Sequence, residues 1–440
     1  MSRSPANRGE LEPGYDTDGT EVASFPLAQI GQLLLLASAT WAATYARYAT
    51  GPLQEAMRQS MSISDNRMAV LQGSAVAIPM VIGAIPVGLL ADRISRKAML
   101  LVATAVALIA LVLSAKASTY NGILVARFVL GLSIGGMLVP AYAMAGDLVA
   151  PMHRGRATMV LVFGETGGSP AAFALGGALL VYGSWAWSLL WMSGALVIVL
   201  ALLVFVKDPV RREVSIEIPR LRSILPELWR NRGVAIPLQL GRATLFIADG
   251  AVLAWAAPLF TRRFHITPDR IGYMLGIALL AAGIAGPLLG GPLVDLCQRH
   301  GGPRRAIMCL AALAGLSVPI GLFALASNAN WAAALLALFI TLGFTISAAA
   351  LALTLIVIPG QLRALNVGVS LIVGSIFFIG LAPLAVSGLS GVLGGESALP
   401  RALAIVCASA SLVNTVVLAW GARYFPIKTQ VVLKLAQSTP

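Results

Sequence analysis

Five ionisable side chains stand inside long apolar stretches of this sequence: Arg47, Arg127, Glu165, Arg242 and Asp249. Holding a charge away from water costs roughly 3 kcal/mol or more, so each is a candidate for function rather than solubility. Two carboxylates at depth are groups that could carry protons. Three arginines against two acids leave the region positive, which favours an anionic ligand such as an organic acid. Arg242 and Asp249 lie seven residues apart and share a helix face. At about 1.5 Å per residue, Glu165 and Arg242 fall near one level and Asp249 two turns further along. Trp41, Tyr45 and Tyr48 recur at helical spacing beside Arg47, a stripe that could line a cavity for an organic substrate.

Each reading has a plainer alternative. Glu165 could sit in a fixed ion pair, Asp249 could be the counter-ion of Arg242, and Arg127 could bond carbonyls. Arg47 and the aromatic stripe could serve packing and interface anchoring. His153, His265 and His300 fall in loops, and Cys297, Cys309 and Cys407 show no disulfide or zinc spacing. No cofactor or metal is expected. With no paired His or Cys, no Walker-type glycine loop and no soluble catalytic domain, an enzyme is not expected either.

The elements that hold these residues must be membrane-spanning helices. The chain is 58% hydrophobic and 11% charged, against roughly 25% charged in a soluble domain. Apolar runs near the length of about 20 residues needed to cross a bilayer occur at 27–50, 68–92, 97–115, 119–146, 156–182, 185–206, 235–260, 271–295, 304–325, 331–357, 364–387 and 401–421. The expected fold is all-α, with twelve transmembrane helices in two six-helix bundles. The net charge of +13 would suggest nucleic acid in a soluble chain, but its placement argues otherwise. With both termini in the cytoplasm, the inner loops and tails hold 21 Lys and Arg and the outer loops 7, the inside-positive bias of a membrane protein. The expected location is therefore a bacterial inner membrane, with the lipid bilayer as a partner and no nucleic acid.

The boundaries divide the chain into a disordered cytoplasmic tail 1–26, a first bundle 27–206, a basic linker 207–234, a second bundle 235–421 and a tail 422–440. At an offset of 203 residues, Ile63 aligns with Ile266, Arg67 with Arg270, Gly73 with Gly276, Gly83 with Gly286, Gly88 with Gly291 and Asp92 with Asp295. Such a register implies duplication. If six spans separate equivalent points, the halves share one orientation, related by an axis along the membrane normal.

The loop after the second span carries Gly88, Asp92, Arg93, Arg96 and Lys97, with Ser95 between them. It resembles the loop motif of the major facilitator superfamily, although Ser95 stands where that family prefers glycine. A weaker copy has Gly291 and Asp295 followed by Arg299, Arg304 and Arg305. Arg127 with Gly131, Gly135 and Gly136 resembles the superfamily's second motif, and the resemblance implies a role for Arg127 in proton handling. The resemblance also extends, distantly, to spinster-like and organic-acid carriers, although Ala46 rather than an acid precedes Arg47. Independently of the name, Asp92 could be held by the N-terminus of the eleventh span near residue 364, and Asp295 by that of the fifth near Arg156. These would be latches that break when the halves rock. The expected function is alternating-access transport of a small organic, anionic solute in symport with protons, by a monomer. Proton-antiport efflux of amphipathic compounds is the alternative within transport, since Gly155, Gly164 and Gly168 partly match an antiporter motif. The same spacing also suits close helix packing. A non-transporting receptor or membrane enzyme is the alternative from another class.

Overall fold

The computed structural model describes residues 27–91, 94–149, 153–208, 229–358, 362, 366, 369–370 and 372–425. The tails, most of the linker, and Asp92 and Arg93 of the loop motif lie outside the described residues. The first half holds α1 (Leu27–Tyr48), α2 (Gln54–Met61), α3 (Asp65–Gln72), α4 (Ser74–Ala91), α5 (Arg96–Lys116), α6 (Tyr120–Leu148), α7 (Arg154–Leu180) and α8 (Trp185–Leu203). The second holds α9 (Arg232–Phe264), α10 (Pro268–Ile320), α11 (Ala329–Val357), α12 (Ala382–Leu393) and α13 (Leu399–Gly421). A turn at Gly301 and Gly302 folds α10 into two antiparallel crossings, and α12 continues a crossing that begins at Ile372. With α3 and α4 as one crossing, the described residues make twelve. Eight stretches among them meet the length and hydropathy of a membrane span on those criteria alone.

Chain entry into α1 defines the proximal end of the bundle and Tyr48 the distal end. Several crossings start on a side chain that accepts a backbone N–H of the first turn: Ser95, Thr119, Ser184 and Asn328 do this for α5, α6, α8 and α11. Such caps satisfy donors that a helix leaves open where it enters the bilayer.

The second crossing departs from the expected continuous helix. It breaks at Gly73, which has non-helical dihedrals. Gly73 approaches the next half so closely that a Cβ there would lie 2.6 Å from the Ile379 carbonyl oxygen. Its repeat partner Gly276 likewise faces the other half, at Pro170 and Ala174. The 203-residue register therefore places equivalent glycines at equivalent seams between the halves.

The two halves meet tightly toward the distal end. A Cβ on Gly177 of α7 would come within 2.4 Å of the Pro268 carbonyl and 2.9 Å of the Gly272 Cα of α10. One apolar core, containing Trp255 and Phe260 of α9, also takes in Ala69 and Phe173 from the first half. At the proximal end, Gly88, Gly155 and Gly291 have no atom of the described residues within 4 Å of an added Cβ. The seam is packed distally and loosens proximally.

Candidate functional site

Arg127 is the most enclosed of the five charges, 1% exposed. Its Nε donates to the Leu71 carbonyl at 3.1 Å, and its Nη2 donates to the Arg47 carbonyl at 3.1 Å and to Gln72 Oε1 at 3.3 Å. Gln72 is itself tied to Thr50 on both atoms of its amide. The break at Gly73 and the end of α1 leave carbonyls without helical partners, and unsatisfied backbone is costly at membrane depth. Arg127 supplies the donors. Its Nη1 has no partner, and no carboxylate pairs with it among the described residues.

Arg47 lies at the other side of that clasp. Its Nη2 donates to the Tyr48 hydroxyl at 2.6 Å, and its guanidinium carbon stands 5.7 Å from the Phe378 ring centroid of the second half. Glu165, on α7, accepts from the Tyr142 hydroxyl of α6 at 3.0 Å. Its neighbour Thr166 packs on Gly283 of α10, where an added Cβ would fall 2.2 Å from Thr166 Cγ2. Glu165 thus sits beside the seam, bonded to a tyrosine rather than to an arginine.

Asp249 rests against bare backbone. A Cβ on Gly343 of α11 would lie 2.5 Å from its Oδ1, so only glycine leaves room for the carboxylate. Asp249 lines a cavity of about 10 Å³ with Ser317, Ser411 and Asn414, room for one water-sized particle. No ion pair joins Asp249 to Arg242, and Arg242 is half-buried on α9. Above them, Phe246 and Phe378 meet edge to face at 6.0 Å. Phe378 belongs to a π-helical stretch, Ser375–Leu381, a feature that often marks functional sites.

Tyr45 stands apart. It is fully buried in the first half, stacked on Trp41 at 4.6 Å, and its hydroxyl donates to the Met192 carbonyl at 3.1 Å. Of the expected stripe, Trp41, Arg47 and Tyr48 remain half-buried. Gly164 and Gly168, part of the antiporter-like spacing, pack against the Ala37 and Trp41 carbonyls of α1.

In the loop motif, Arg96 pairs with Asp147 and Lys97 donates to the Val204 carbonyl at 2.6 Å. Both contacts bind α5 to neighbours within its own half. Asp295 is exposed and makes no ion pair among the described residues, and Arg156 is exposed as well. The start of the eleventh crossing near residue 364, the expected partner of Asp92, is outside the described residues. Cys297 and Cys309 meet across the Gly301–Gly302 turn as free thiols with sulfurs 2.9 Å apart.

The charges that join the halves are ones the sequence reading did not single out. Arg262 at the distal end of α9 grips Asp65 with both Nη atoms at 2.8 Å and donates from Nε to Glu55 at 2.8 Å. Arg58 donates to Glu55 at 2.9 Å and reaches Glu396 of the second half at 2.5 Å. Burial would push the Glu55 carboxyl up, but hydrogen bonds from Arg58, Arg262 and Gln59 hold it below its ordinary value. The signal for this network lay in three of the four acids in the outer loops, Glu55, Asp65 and Glu396, but loop charges look alike in sequence until the fold pairs them.

Relatives share this architecture. The bacterial homologue of the human lysosomal transporter Spinster, solved in an inward-facing, unoccupied conformation, superposes with a TM-score of 0.74. It is 18% identical and covers 94% of this chain and 99% of its own. The fold is that of the Major Facilitator Superfamily. The sequence pattern of that superfamily matches residues 36–248, so the resemblance read from the motifs holds. A D-xylose–proton symporter of the superfamily fold has a TM-score of 0.62 at 15% identity, covering 88% of this chain and 97% of its own. Among curated sequences, a Bacillus subtilis protein named for niacin/nicotinamide transport is 37% identical over 89 residues, 20% of this chain and 22% of that protein. The gentisate transporter of Corynebacterium glutamicum is 26% identical over 284 residues, 61% of each chain. The chain therefore spans less than two thirds of either curated relative.

Proposed function

We propose that this protein is a secondary active transporter of small organic anions, coupled to protons and working by alternating access as a monomer. The observation that carries the reading is the state of the charges at the seam. Arg47 and Glu165 lie beside it on the first half's side, Asp249 is enclosed within the second half, and none of the three has an ion-pair partner among the described residues. Unpaired charge at membrane depth is expensive unless a ligand or proton neutralises it in the working cycle. Arg47 and Arg242 are the anion-binding candidates, and Glu165 and Asp249 the proton carriers. Arg127 fixes the backbone that presents Arg47.

The proximal end is the cytoplasmic one in this reading, as its Arg and Lys content requires. The closed distal seam and the exposed Asp295 support reading this as an inward-facing state in which the Asp295 latch is released. In the outward-facing state Asp295 returns to the start of α7, and Asp92 serves the equivalent position. Gentisate and niacin, for which the two curated relatives are named, are small aromatic acids and support a carboxylate cargo, while the Bacillus subtilis relative's name also includes the neutral amide nicotinamide.

The test is uptake of aromatic and aliphatic acids into proteoliposomes under an imposed proton gradient. Inward-gradient-driven uptake that is lost in Glu165→Gln or Asp249→Asn, while unforced exchange persists, is the expected result. Uptake driven only by an outward gradient would establish antiport instead. Binding of an acid without its transport would point to a receptor.

A further inference from the structure

An open surface groove of about 460 Å³ lies away from the seam, at the turn joining the two crossings of α10. His300, Arg304 and Arg305 line it together with Met308 and Ala312. The turn is held by a left-handed Gly302 (φ 69°), after which Pro303 starts the second crossing. The first N–H groups of that helix add partial positive charge beside Arg304. Arg305 folds over Gly301 and donates to the His300 carbonyl at 3.3 Å, which leaves its charge at the rim.

No carboxylate pairs with this rim among the described residues. The nearest carboxylate in sequence is Asp295, and no Asp or Glu occurs between it and Glu396. Arg304 has no ion-pair partner among the described residues. The wall has the opposite character. Met308, 54% exposed, lies on the outward face of the crossing, with Leu316 further along, also exposed. The turn joins two membrane crossings and so stands at the bilayer surface, with the wall descending into the hydrocarbon.

A cationic rim at headgroup depth above an apolar wall at acyl depth fits one class of molecule. The geometry points to a site for an anionic phospholipid, with its phosphate held by Arg304 and Arg305 and an acyl chain along Met308 and Ala312. A free phosphate would use the rim and leave the wall empty. A zwitterionic lipid would use the wall but bring no net charge. Arginines at the membrane surface attract acidic headgroups at about 1 kcal/mol each.

The protein in detergent, stripped of lipid, would be titrated with dioleoylphosphatidylglycerol, dioleoylphosphatidylcholine and inorganic phosphate, with thermal stability and native mass spectrometry as readouts. Phosphatidylglycerol is expected to raise the melting temperature and remain bound. The Arg304→Gln/Arg305→Gln variant is expected to need about thirtyfold more of it. Equal stabilisation by phosphatidylcholine or by phosphate, or an unchanged titration in the variant, would overturn the site. Should the variant fold poorly, Cys309 supplies a second reading in the wild type, because it also lines the groove. Phosphatidylglycerol should slow its maleimide labelling where phosphatidylcholine does not, and equal rates would overturn the proposal as well.

Discussion

At the scale of single residues, the site depends on what is left out as much as on what is present. Asp249 fits because Gly343 has no side chain. Gly343→Ala should displace the carboxylate, lowering proton-driven uptake at least tenfold. Overpacking of this kind costs about 1–3 kcal/mol, so the thermal shift should be moderate. Wild-type uptake in that variant would mean the carboxylate's position is unimportant. Arg127 makes a different argument. It bonds two carbonyls and an amide from three directions, and a lysine, with its compact ammonium, cannot reproduce that fork. Arg127→Lys should destabilise the protein by about 1–3 kcal/mol, because a buried carbonyl loses its donor. Thermal unfolding in detergent measures this, and unchanged stability would remove the capping role.

At the scale of elements, the working contact is the crossing of α7 over α10. Gly177 and Gly272 bring the two backbones together near the distal end, and Thr166 fills the space over Gly283 deeper in. A wedge at the first point and not the second should tilt the halves. Gly177→Leu places a branched side chain where even a Cβ would overlap the Pro268 carbonyl, so the distal seam should open. Labelling of cysteines introduced near Tyr48, on otherwise cysteine-free protein, should then speed up from the distal side. If accessibility is unchanged, the seam yields elsewhere. The break between α3 and α4 belongs to the same scale, since it lets a short helical segment carrying Asp65 reach the second half while α4 follows the bundle.

For the whole molecule, the distal closure joins the halves by charge as well as by packing. Arg262→Ala leaves Glu55 and Asp65 facing each other with Arg58 as their remaining cation. Truncating one partner of a buried, hydrogen-bonded pair costs roughly 2 kcal/mol or more, which is about thirtyfold in the balance between closed and open states. Distance measurements between spin labels on α2 and α13 should show the open population rising. The closure should also respond to pH. Glu55 is held below its ordinary value in the closed state, so its contribution is complete above the ordinary carboxylate value and is lost as pH falls through the depressed one. Distal opening on acidification, blunted in Glu55→Gln, is the expected outcome of the same measurement. An acid response unchanged in that variant would overturn the role given to Glu55.

Much of this molecule is written in local sequence. Runs of apolar residues near bilayer length determine where the chain crosses, and the 203-residue register of Gly73 with Gly276 reports duplication, because neither depends on what lies across the fold. The buried charges are legible for the same reason, since an Arg or Asp inside an apolar run is visible without knowing its neighbours. Partnership is a different matter. That Arg127 bonds carbonyls, that Glu165 meets Tyr142 instead of an arginine, and that Tyr45 turns into its own half depend on helix rotation and on the break at Gly73. The distal network is the clearest case. Glu55 and Arg262 are 207 residues apart, and in sequence both are ordinary loop charges. Only the packing of one half against the other brings them within hydrogen-bonding distance, where Coulomb attraction and partial burial turn solvated charges into a closure.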